Sequence, residues 1–176
     1  MNTLKRLGIG LAGLMLTTTL GLAAEATKPT DPEIAHIAYT ADNIDIQAAE
    51  HAVKVSKNKA VQDFARDMIR DHEAVNKQAL ALLAKLKVEP KDNATSQALV
   101  NQADATQAHL ATLKGAAFDK AYVDNEVAYH HAVNTALETT LIPAAQNAEL
   151  KDLLTTGLQI FKGHEDHARM VAGELK

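Results

Sequence analysis

A chain of 176 residues without a cysteine has neither disulfides nor thiolate ligands, and its length suits one domain with a real core. Its formal charge of −4, with Lys and Arg scattered rather than striped, excludes a nucleic-acid binder of the basic kind. Hydrophobic residues make up 47% but aromatics only 3%, and no alternating apolar pattern appears, so the expectation is an all-α protein packed by Leu, Ala and Val.

The first two dozen residues read as a leader. Lys5 and Arg6 give a positive start, Leu7 to Leu22 is an uncharged apolar run, and Ala23, Ala24 and Ala26 supply small residues for cleavage. This pattern predicts a secretory signal peptide over residues 1–24, cut after Ala24 or Ala26. An uncleaved membrane anchor is the competing reading, because such a run nearly spans a bilayer. The small-residue exit favours cleavage, and the lack of cysteine excludes lipoprotein attachment. The mature protein is expected in the periplasm, or associated with the outer envelope, with no later transmembrane segment. Losing Lys5 and Arg6 leaves 16 basic against 22 acidic residues, a charge of −6.

Residues 25–31 form a short polar leader, and residues 32–176 form the folded domain. Asp31 before Pro32 reads as a helix start, with Asp31 as cap and Pro32 in the first turn. A helix over about residues 33–55 then carries the stripe Ile34, Ala38, Ala41, Asp45, Ala48, Ala52 and Val55. Asn58 caps a second helix over about 59–87, with Phe64, Met68, His72, Val75, Ala79 and Leu83 inward. After a loop containing Pro90, Thr95 or Ser96 caps a shorter helix to about residue 113, and Lys114-Gly115 ends or kinks it. A long helix over about 116–141 places Tyr122, Glu126, His130, Val133 and Leu137 on one face and stops at Pro143. The last, capped by Asn147, covers about 148–175 with Leu153, Gly157, Ile160, His164, His167 and Val171 aligned. Four long helices joined by short links predict an antiparallel, ferritin-like four-helix bundle. The helix near 95–113 is either an accessory piece or a bent extension of the third long helix.

Acids and histidines interrupt four of these apolar stripes: Asp45, His72, Glu126 with His130, and His164 with His167. A buried ionisable group is expensive unless it is paired or holds a metal. Glu126 and His130 are four apart and His164 and His167 three apart, so each pair projects over one helix face. With up-down topology, the links near residues 57 and 145 share an end. Asp45, His72 and His130 then lie about 12–15 residues from that end, and Glu126, His164 and His167 about 18–22. The expectation is one site or two neighbouring layers about 10 Å apart.

Three imidazoles and a carboxylate suit iron, zinc, copper or manganese, and ligand type does not choose among them. The first candidates are His72, His130, His164 and Glu126, followed by His167 and Asp45. Asp71 and Glu73 flank His72 and are placed to orient its second nitrogen, or simply face solvent. His131 points about 100° away from His130 and is expected at the surface. Glu33-x-x-His36 is the only such motif and sits at a helix start, while Met68 and Met170 read as core. Two rival readings stand beside the metal site. One is a non-catalytic interaction or structural module whose polar layer only fixes helix register; the other is a small redox or hydrolytic enzyme with an open cleft at Glu126 and His130. No phosphate loop or nucleophile elbow specifies a substrate.

The same positions carry a family resemblance. Phe64-Ala65-Arg66-Asp67-Met68 with Asp71-His72 and Asn76, then Gly115-Ala116-Ala117-Phe118-Asp119 with Tyr122, then Asn125-Glu126-Val127-Ala128-Tyr129-His130, and last His164 and His167-Ala168 resemble the secreted bacterial family of unknown function DUF4142. The resemblance covers essentially all of residues 33–175. It implies a ferritin-like four-helix fold and export to the periplasm or outer envelope, and no activity. Family members often carry Glu where this chain has Asp45. Di-iron ferritins pair an inward Glu-x-x-His on two helices with further glutamates, whereas the inward pair here is Glu126-x-x-x-His130. A histidine-rich mononuclear site is the better expectation.

Overall fold

The computed structural model describes residues 28–175, so the expected leader and its cleavage site lie outside the described residues. The described chain forms α1 (Asp31–Val55), α2 (Lys59–Leu86), α3 (Ala94–Ala111) and α4 (Gly115–Ala136). A π-helical turn at Leu137–Leu141 and one further turn, α5 (Ile142–Ala144), extend α4, and α6 (Ala148–Glu174) completes the fold. No strand occurs among the described residues, and none of the described helices is long and apolar enough to cross a membrane.

Local chemistry sets the helix ends. Asn58 and Asn147 cap α2 and α6, accepting hydrogen bonds from Ala60 N and Leu150 N. The cap of α1 is Thr30 rather than Asp31, and Glu33 folds back to accept from the Thr30 backbone N–H and hydroxyl. Asp31 is diverted to the opposite link, where its two oxygens accept from Gln146 N and Asn147 N, each at 2.8 Å. Asn93 caps α3, with Ser96 inside the first turn as its reciprocal partner. Gly115 opens α4 with φ at +58°, a left-handed conformation that glycine adopts at low cost.

Those Asp31 bonds also correct the topology. They tie the start of α1 to the link before α6, so the links near residues 57 and 145 lie at opposite ends. The cause is α3. It starts beside the beginning of α1, where the Asn93 side chain donates to Glu33 O and Lys91 N donates to Pro32 O. It then runs along α1 and delivers Leu110 into the far half of the core. Being a crossover the length of the bundle, α3 brings the chain back to the end where α2 began. Helix α4 therefore descends parallel to α2, and each neighbour in the ring α1, α2, α6, α4 is antiparallel. Asp45, His72, Glu126, His130 and His164 all fall about 10–15 residues from the same end, in one layer.

That layer divides the apolar interior. One half contains Ala52, Phe64, Met68, Leu110, Phe118, Tyr122 and Val171; the other contains Ile34, Leu137, Leu141, Leu150, Leu154, Leu158 and Phe161. Helix α3 buries little of its own, chiefly Ser96 and Leu110.

Candidate metal centre

Between the two apolar halves the bundle buries Asp42 and Asp45 from α1, His72 from α2, Glu126 and His130 from α4, and His164 from α6. The three imidazole rings sit with centroids 5.3–5.6 Å apart. One nitrogen from each of His72, His130 and His164 lies within 4.8 Å of the others. The same spacing holds for one atom each of Asp45, Glu126 and His130. Donors bound to one ion at about 2.0–2.2 Å are separated by less than about 4.4 Å, so a small inward movement closes either set.

Each imidazole has one nitrogen hydrogen-bonded and one without a hydrogen bond. His72 Nδ1 pairs with Asp42 Oδ1 at 2.9 Å, His130 Nδ1 donates to the Glu126 backbone carbonyl at 3.0 Å, and His164 Nε2 pairs with Asp71 Oδ2 at 3.0 Å. His72 Nε2, His130 Nε2 and His164 Nδ1 are buried without a hydrogen bond. An acceptor behind each ring that leaves the opposite nitrogen bare is how proteins orient histidine toward a metal. Phe161 stacks on the His72 ring at 4.5 Å and 9°, which fixes its plane.

The carboxyls continue this arrangement. His72 Nε2 lies 2.8 Å from Asp45 Oδ2, yet the two are aligned too poorly to hydrogen bond. Both oxygens of Asp45 and both of Glu126 also lack hydrogen-bond partners from a nitrogen or hydroxyl donor. Leaving such buried atoms unpaired costs about 1–3 kcal/mol each, against a total stability of about 5–15 kcal/mol for a domain. The His72–Asp45 ion pair offsets part of that cost. A cation offsets the rest. The buried cluster is capable of coordinating a transition-metal ion.

Electrostatics divides the titratable groups into two classes. Burial works against charge on His72, but the Asp45 and Asp42 carboxylates outweigh it and push the imidazole up to about 10. Burial likewise opposes ionisation of Asp45, and the neighbouring His72 and His130 still hold it below the usual carboxylate range. Glu126 is pushed well up, by burial first and then by the charge of Asp45. Burial lowers His130 and brings His164 down to about 4, so both are neutral ligands at pH 7. Asp71, held low by its hydrogen bonds from Arg70, remains the charged partner of His164.

Several sequence expectations land elsewhere. His167 does not join the cluster; it is half-buried, with its ring edge-on to Phe64 at 5.1 Å. The inward stripe of α6 runs through Leu154, Leu158, Phe161, His164, Ala168 and Val171, which leaves residue 167 on its margin. Asp71 orients His164 rather than its neighbour His72, and Glu73 is exposed. His131 is at the surface as expected, paired with Glu165. Met170 is 62% exposed rather than core. The residue missed from sequence is Asp42. Its signal was present three positions before Asp45, the spacing that shares a helix face.

The model of the family DUF4142, a domain of unknown function, matches residues 17–171. The chain belongs to this family. No curated protein matches it. Among solved structures, CopM in the Cu(II)-bound form has a similar fold, with 14% identity and a TM-score of 0.65 over 85% of this chain and 100% of that one. At that identity the likeness is one of fold.

Proposed function

We propose that this DUF4142 protein is an exported metal-handling bundle that binds one divalent transition-metal ion in the layer between its two apolar halves. His72 Nε2, His130 Nε2 and His164 Nδ1 supply imidazole nitrogens, and Asp45 and Glu126 supply carboxylate oxygens. Asp42, Asp71 and the Glu126 carbonyl hold the rings from behind. The observation that carries this reading is the set of three buried imidazole nitrogens without a hydrogen bond, each with its opposite nitrogen anchored. Imidazole with carboxylate suits copper(II), zinc, iron or manganese. The fold shared with a protein solved with Cu(II) makes copper(II) the first ion to test. The basic and apolar leader read in residues 1–24 supports a periplasmic location for this function.

Metal analysis of tag-free protein recovered from its own periplasm tests the proposal, because cytoplasmic overexpression selects whichever ion binds tightest there. About one ion per chain is expected. Metal-free protein, with no thermal shift on adding copper(II), zinc, iron(II) or manganese(II), would refute it.

A second reading has one observation in its favour. His72 between Asp42 and Asp45 forms a compact buried ion triad that sets helix register without any metal. That reading requires the His72→Leu, His130→Leu, His164→Leu triple variant to match or exceed the native stability. Metal handling requires the same variant to lose every metal-dependent gain in stability.

A further inference from the structure

Helices α1 and α4 approach each other least closely in the bundle ring, and the space between them is a cavity of about 940 Å³ roofed by α3. Small side chains create the space: Ala41 on α1, Ala132 and Ala136 on α4, and Ala103 on α3 beside Leu99. The volume lies in the range of small-molecule sites, about 300–1,000 Å³. Helix α3 is tied down at its start through Asn93 and Lys91 and near its end through Leu110, while Val100 between them stays exposed.

The inner end of the cavity is acidic. Asp42, Asp45 and Glu126 line it, all three buried; Asp45 Oδ2 lies 2.8 Å from His72 Nε2, while neither oxygen of Glu126 has a hydrogen-bond partner. Among the lining residues the one basic side chain is Lys28. The imidazoles lie behind the carboxyls and do not line the cavity. An occupant therefore meets apolar walls first and carboxyl oxygens last, those of Glu126 without a partner. An anionic head is disfavoured there, and an apolar molecule lacking a donor leaves those oxygens unpaired.

We propose that the cavity binds a single-chain amphiphile with an ammonium head, its alkyl tail against the alanine-lined wall and its head on the Asp45 and Glu126 carboxyls. The inference goes beyond metal handling and stands without it, since the acids and the cavity are there with or without an ion. Where an ion is also bound, the two compete for the same oxygens and each weakens the other's binding equally.

Calorimetric titration of the metal-free protein with decylamine and with decanoate, both below their micellar concentrations, tests this. Decylamine is expected to bind with decanoate at least about tenfold weaker, the cost of an anion set against buried acids. Ala132→Phe fills an exposed stretch of the cavity wall and should weaken decylamine binding by about tenfold or more while leaving metal stoichiometry unchanged. Leu99→Trp on the α3 side serves the same purpose if Ala132→Phe fails to fold. Absence of decylamine binding, equal affinity for decanoate, or unaltered binding in the folded cavity variants overturns the proposal. Metal uptake measured in parallel keeps the two readings separable: a protein that takes the ion but no amine sinks only this inference, and the reverse sinks only metal handling.

Discussion

Each histidine in the polar layer is defined by what stands behind it. Asp42 is the clearest case, its Oδ1 lying 2.9 Å from His72 Nδ1. Replacing it with alanine should lower metal affinity by about 10- to 100-fold, the usual cost of losing such an orienting partner, with stoichiometry retained at saturating ion. A calorimetric titration against the native protein checks this. His167→Ala should leave affinity unchanged, since that ring packs on Phe64. The pH behaviour of the metal-free protein follows from two shifts of opposite sign. His164, depressed to about 4, is less ready than its unfolded counterpart to take a proton, so stability is lost as pH falls from about 6.5 toward 4. His72, raised to about 10, contributes stability that is complete below about 6.5 and lost as pH rises toward 10. Thermal melts across pH 4–10 should show both limbs, and His164→Asn should weaken only the acid one, which the depressed His130 shares. In the folded protein, ion binding at pH 7 must displace the proton on His72 and that on Glu126. Metal affinity therefore rises with pH across neutrality, and titration in buffers of different ionisation enthalpy counts the protons released.

At the scale of the element, helix boundaries and apolar faces were legible because caps and periodicity are local properties. Asn58, Asn147 and the stripe Phe64, Met68, His72 and Leu83 needed no tertiary information. What sequence could not supply was phase and direction. On α6 the alternative stripe through Leu153, Ile160 and His167 is nearly as apolar as the buried one through Leu154, Phe161 and His164. Only contact with α2 and α4 decides between them. The sense of α4 depended on whether α3 spans the bundle or merely decorates it, a long-range fact with no local signature. Asp31 shows the same limit, since its carboxylate is claimed by a link far away in sequence. The α3–α4 junction offers a test at this scale. A Cβ on Gly115 meets nothing within 4 Å, so Gly115→Ala costs only the backbone strain of φ +58°. A loss of about 1–2 kcal/mol in unfolding free energy is expected, with metal stoichiometry unchanged.

For the whole molecule, the polar layer means that the two apolar halves are joined through groups that pack poorly without an ion. Four helices contribute to that layer, one residue or pair each, so an ion bound there ties α1, α2, α4 and α6 together at once. A ligand that binds only the folded state stabilises it by RT ln(1 + [L]/Kd), about 2.7 kcal/mol at one hundred times Kd. The metal-loaded protein should therefore melt several degrees above the chelated one, with the difference growing as free ion is raised. His130→Ala should abolish that growth, because residue 130 belongs to both convergent ligand sets. Were the layer only a register device, chelation would leave the melting temperature alone, and leucine at 72, 130 and 164 would raise it. The readings differ in whether ion raises the native melting temperature and whether triple leucine removes that rise, so the melting curves of the native and triple-leucine proteins, with and without ion, separate a metal carrier from a structural bundle.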